Sequence, residues 1–191
     1  MYKNIFIIGA GRVGKTTLSK MINKKFGYSI VSIDDIVTAL EAFPELKLSR
    51  KTDHQTKSNK ITNFLKKYLK ELSEGNKFYD GFKTVIEGTA VDLENLIPAI
   101  DQNKCLLIGL TYNKISKEDL FNAVRKYDTE DDWTYYLSDE ELLNFCSECI
   151  EINREFSKKF EEFNIITYDT SLNRQEALTE ILKNIEEYCK P

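Results

Sequence analysis

Residues Ile5 to Leu18 read IFIIGAGRVGKTTL, an apolar run that stops at a glycine-rich turn and continues through Lys15, Thr16 and Thr17. No other stretch restricts the fold so tightly, because it asks for a buried strand, a tight turn and a helix in immediate succession. Gly9, four residues, then Gly14-Lys15-Thr16 fits G-x-x-x-x-G-K-[ST], a loop whose backbone N–H groups cradle phosphate oxygens. Glycine admits positive φ and close approach of the backbone to an anion, while a helix starting at the end of the loop points the positive end of its dipole at the same place. On this reading Gly9, Gly11, Arg12, Val13, Gly14, Lys15, Thr16 and Thr17 surround the phosphates of a nucleotide. Lys15 reaches the β- and γ-phosphates, and Thr16 is a ligand of Mg2+.

The same residues satisfy a rival pattern. Gly9-Ala10-Gly11-Arg12-Val13-Gly14 is also G-x-G-x-x-G, and Asp34 follows at about the 20-residue interval that a dinucleotide fingerprint asks for. The Lys-Thr pair after the third glycine separates the two, since only the phosphate-transfer loop calls for it. An NAD-type dinucleotide binder stays open beside it, as does a module that binds nucleotide without transferring phosphate.

The 191 residues suit one domain, residues 1–191, with enough chain to bury a core unaided. A formal net charge of −4 argues against a general nucleic-acid partner, which needs a clustered positive field. Cysteines stand at 105, 146, 149 and 189 beside a single histidine, His54, so a zinc site lacks ligands and ordinary reduced thiols are expected. After Met1-Tyr2-Lys3-Asn4 the apolar run before Gly9 is only four residues, Ile5 to Ile8, too short for a secretory signal, and no apolar run is long enough for a bilayer span. These features suggest a cytoplasmic protein without a membrane partner, monomeric or homodimeric.

Taken in order, the chain alternates strands and helices. Strands are expected at Lys3–Ile8, Tyr28–Ile33, Lys83–Ile86, Lys104–Tyr112 and Asn164–Tyr168, each an apolar run bounded by turn residues. Helices are expected from Thr16 to Phe26, closed by Gly27, and from Ile36 to about Phe43, before Pro44. A third runs from a Ser58 cap to Ser73, with Gly75 ending it, and a fourth from Asp92 to Asn103, interrupted by Pro98. Ser116-x-x-Asp119 and Ser138-x-x-Glu141 are capping boxes for two more, and Asn173–Cys189 closes the chain. The second strand delivers Asp34 and Asp35 to its carboxyl end, where open α/β sheets place ligands. Asp34 is the expected base for an acceptor, and Asp35 suits the N-cap of the next helix and contact with substrate. Glu87, at the end of the third strand, is placed to hold Mg2+ with Thr16, or is simply a solvated acid, and Gly88 follows it. Arg50, with Lys51 and His54, lies in a basic stretch that reads either as a mobile loop or as a cover over an anionic substrate. Asn113-Lys114 looks like the start of a guanine-reading N-K-x-D, but position 116 is Ser.

With the phosphate loop, Asp34, Glu87-Gly88 and a helical segment before the fifth strand, the chain resembles the P-loop small-molecule kinases, among them adenylate-kinase-like, shikimate-kinase-like and chloramphenicol-phosphotransferase-like proteins. The resemblance implies a three-layer α/β/α sandwich with a five-stranded parallel sheet ordered 2-3-1-4-5. It also implies ATP and Mg2+, a small-molecule acceptor hydroxyl or phosphate, and a helical lid lobe at about 116–163. Such lids carry arginines; this chain has no clear arginine-rich lid motif, and Arg125 and Arg154, the two arginines of the segment, read either as a catalytic contact and a contact to nucleotide or as ordinary helix-surface ion pairs. The resemblance assigns catalysis to Lys15, Asp34 and Arg125.

Overall fold

The computed structural model describes residues 4–49, 51–74 and 83–189. Five strands, β1 (Asn4–Gly9), β2 (Ser29–Ser32), β3 (Thr84–Gly88), β4 (Cys105–Thr111) and β5 (Ile166–Asp169), pair in parallel in the order β2-β3-β1-β4-β5. The helices are α1 (Lys15–Phe26), α2 (Ile33–Leu40), α3 (His54–Glu74), α4 (Leu93–Leu96), α5 (Lys117–Tyr127), α6 (Asp139–Glu162), α7 (Arg174–Asn184) and α8 (Glu186–Cys189). They cover both faces of the sheet, so the α/β/α sandwich and the strand order agree with the sequence reading.

Side chains alternate across a strand, so a strand that is apolar throughout must be covered on both faces. In β1, Ile5 and Ile7 enter one core with α1, α5 and α7, while Phe6 and Ile8 enter the other with α2, α3 and α4. The long α6 serves both. Leu142, Cys146 and Cys149 pack into the first core, and Phe156 and Phe160 into the second. Phe160 stacks on Phe156 with ring centroids 5.5 Å apart. It also covers Gly109, where an added Cβ would lie 2.6 Å from its ring.

Several element boundaries differ from expectation, each for a local reason. The second strand ends at Ser32, whose hydroxyl accepts the Asp35 N–H at 3.4 Å, so the helix begins at Ile33. Asp34 therefore sits in the first turn of α2 and not on a strand end. The cap is Ser32 and not Asp35. Likewise α3 starts at His54 because Asp53 accepts the Thr56 N–H at 2.9 Å. Ser58, expected as the cap, is a buried residue inside that helix, so part of the basic stretch is helical. Arg50, Lys3 and Gly75 lie outside the described residues. Pro98 reduces the fourth helix to one turn followed by a 3-10 turn. Asn164, at φ 52°, closes the connection after α6 and delays β5 to Ile166. Both capping boxes form as read. Among the described residues no helix is long and apolar enough to cross a membrane.

The Phe156–Phe160 stack and its fit over Gly109 tie the carboxyl half of α6 to the sheet. Phe160→Ala is expected to cost about 3 to 5 kcal/mol of unfolding free energy, read by urea denaturation, since neighbouring backbone cannot fill a cavity made by a glycine and a lost ring.

Candidate functional site

The turn between β1 and α1 lies at the carboxyl end of the central strand. Gly14 takes φ 106° and Arg12 φ 64°, a left-handed region that Gly enters freely and Arg enters only when its surroundings hold it. Gly11 is needed for space. A Cβ there would stand 2.8 Å from Cys149 Sγ and 3.0 Å from the Phe145 ring, so the loop and α6 touch only because this residue has no side chain. The Tyr112 hydroxyl donates to the Gly11 carbonyl at 2.9 Å, and the Thr170 hydroxyl donates to the Val13 carbonyl at 3.1 Å. The loop is thus fixed by the residues that directly follow β4 and β5 as well as from its own ends. Thr17 is exposed on α1.

Lys15, Thr16, Glu87 and Thr89 meet beneath this loop. Lys15 is 6 % exposed and donates to the Ala10 carbonyl at 2.7 Å and to Thr89 Oγ1 at 3.1 Å. Thr16 Oγ1 donates to Glu87 Oε1 at 3.1 Å. Thr89 Oγ1 donates in turn to the Gly9 carbonyl at 3.0 Å. Burial pushes the Lys15 ammonium below its ordinary value, against the attraction of Glu87 and Asp34. Burial likewise raises the Glu87 carboxyl, against Lys15, while Asp34 adds to the rise. In each group desolvation outweighs the attraction of the opposite charge, as expected where both charges are removed from water. Glu87 is therefore a buried acid at 3 % exposure and not a solvated one. Asp34 is the one acid from α2 whose field reaches both groups; Asp35 is exposed in the same turn.

Gly88 has a packing reason for its identity, since a Cβ would lie 2.5 Å from Ile33 Cβ. Arg125 is engaged elsewhere. It donates to Asp139 Oδ1 from Nε at 3.1 Å and from one terminal nitrogen at 2.8 Å, and to the Leu137 carbonyl at 2.6 Å. Those bonds tie α5 to the start of α6. Arg154 is exposed on α6, beside the buried Asn153.

The sequence reading did not foresee the partners of Arg12. Its guanidinium pairs with Asp128 and, at 2.9 Å, with Asp132 Oδ1 in the turn between α5 and α6. The bond from Arg12 holds the Asp132 carboxyl below the usual aspartate range. That contribution to stability is complete above the ordinary aspartate value and is lost as pH falls through the depressed one. The four thiols are all free and buried, and burial pushes Cys149 up to about 12, which leaves them as packing groups.

No family model matches the chain, and no curated protein matches it by sequence. Solved structures do. The chain is similar to shikimate kinase from Bacteroides thetaiotaomicron at 17 % identity and TM-score 0.57, over 97 % of each chain. It is similar to a gluconokinase from Sinorhizobium meliloti at 12 % identity and TM-score 0.61, over 97 % of this chain and 93 % of that one. A deoxyadenosine kinase from M. mycoides aligns at 18 % identity and TM-score 0.52, over 97 % of this chain and 99 % of that one. The chain has the fold of P-loop small-molecule kinases, over its whole length.

Proposed function

We propose that the protein transfers the γ-phosphoryl group of ATP to a hydroxyl or phosphate of a small molecule. The observation that carries this reading is the meeting of Lys15, Thr16, Glu87 and the field of Asp34 beneath the glycine-rich loop. A dinucleotide site has no use for a buried lysine and a buried acid at that point. Phosphoryl transfer needs both, because its catalysis is mostly positioning and charge stabilisation.

In this reading the N–H groups of Gly11 to Thr17 and the amino end of α1 hold the phosphates. The Lys15 ammonium leaves the Ala10 carbonyl and the Thr89 hydroxyl for phosphate oxygens, where its buried charge gains an anionic partner. Thr16 and Glu87 fit Mg2+, since both offer hard oxygen atoms and they already stand 3.1 Å apart. Such an ion is commonly held by one or two carboxylates with phosphates and water. When bound, it supplies neutralisation of charge on the β- and γ-oxygens. Asp34, on the first turn of α2, orients the acceptor and takes its proton. Arg125 fixes the end of the turn before α6, and its contact with phosphate would require exchange of the Asp139 and Leu137 bonds. The kinases of like fold named above act, by their names, on shikimate, gluconate and deoxyadenosine, which favours a small hydroxylated acceptor.

The test is ADP release from Mg-ATP against a panel of polyols, sugar acids and nucleosides. One acceptor class should raise release well above the rate with water, and a flat panel would contradict the assignment. Lys15→Met should weaken ATP binding about 10- to 150-fold, the loss of one charge-assisted hydrogen bond. Asp34→Asn should leave ATP affinity intact and lower acceptor-dependent turnover by about 10² to 10⁴.

A further inference from the structure

The cation of the phosphate loop that faces outward is held by acids. Segment 128–136, between α5 and α6, is folded around two carboxylates. Thr134 Oγ1 donates to Asp128, and Asp132 Oδ2 accepts the Thr129 N–H at 3.1 Å and the Thr129 hydroxyl at 3.3 Å. The remaining oxygen of each acid faces Arg12. The Asp128 side chain is 2 % exposed and that of Asp132 34 %. Trp133 follows Asp132 directly and stands edge-on to Phe145, with ring centroids 5.0 Å apart. Phe145 is itself packed against Gly11, so an apolar contact runs beside the ionic one from the segment to the loop.

A carboxylate nearly sealed from water keeps its charge only while a cation faces it. Phosphates seated on Gly11 to Thr17 would add several negative charges beside Asp128 and Asp132. They attract the Arg12 guanidinium and repel both acids, and both effects act against the pair. We propose that segment 128–136 is a lid latched onto the phosphate loop by Arg12, and that nucleotide phosphates release it. The inference rests on the nucleotide site proposed above. The polarity is the reverse of a lid that brings cations to phosphate, because here the cation belongs to the loop and the acids to the lid. Linkage then requires that the latch lower nucleotide affinity by the factor that nucleotide loosens the latch.

Trp133 is the only tryptophan in the chain, so its emission reports the lid without a label. The experiment follows that emission while ADP is added, with ADP binding measured independently by calorimetry and adenosine as the control that carries the base without phosphate. ADP should change the emission, and adenosine should not. Asp132→Asn keeps an acceptor for Thr129 but loses the charge. That variant should start near the released emission, change less on titration, and bind ADP about 5-fold more tightly or better, the low end of ordinary coupling between sites. ADP heat without a change in emission, the same change with adenosine, or no gain in affinity in a folded Asp132→Asn would overturn the latch and leave the nucleotide site standing. Absence of ADP heat would overturn both. The wild-type arms decide the matter even if the variant does not fold.

Discussion

A lysine ammonium held almost out of water at the carboxyl end of a parallel sheet sets the terms for this molecule. Lys15 can be buried there because the Ala10 carbonyl, the Thr89 hydroxyl and the charges of Glu87 and Asp34 surround it. Those partners come from the loop, from the end of β3 and from the first turn of α2, so the one cation draws three segments to a point. The cost of removing Lys15 and Glu87 from water exceeds what each regains from the other. A site in that condition gains from a ligand that brings both an anion for the lysine and a cation for the acid. Metal-bound nucleoside triphosphate has both.

The loop above this lysine is braced from outside itself. Tyr112 and Thr170, directly after β4 and β5, bond its carbonyls, and α6 presses Cys149 and Phe145 against Gly11. Sheet, loop and α6 therefore meet at one glycine. The ion pairs of Arg12 add a second join to the turn between α5 and α6. A change at the loop has two short routes into the segment from α5 to α6, one by packing and one by charge.

Most of the fold was legible because its signals are local. Apolar runs mark the strands, the two serine boxes mark α5 and α6, and Gly27 ends α1. Where local signals competed, the boundary moved. Ile33 continues the apolar run of β2 and is equally at home as the buried first residue of α2, so hydrophobicity alone could not show that Ser32 caps a helix. Asp53 and Ser58 are both good caps, and burial of the second decided between them. The motif and the end of β3 put the loop and Glu87 at one sheet edge, whereas Asp34, expected on a strand end, reaches them from the first turn of α2. The pairing of Arg12 with Asp132 spans 120 positions, and an acidic turn read alone is only a solvated turn. The donors of Arg125 go to Asp139 and to backbone carbonyls, partners that no spacing rule specifies.

Thermal unfolding of the protein with Mg-ATP, Mg-GTP and NAD in parallel reads directly which ligand the loop holds. A ligand that binds only the folded chain at 100 times its Kd adds about 2.7 kcal/mol of stability. Tm should rise with Mg-ATP, rise less when Mg2+ is left out, and not rise with NAD. A rise with NAD alone would instead assign the loop to a dinucleotide and rule out phosphoryl transfer from ATP there.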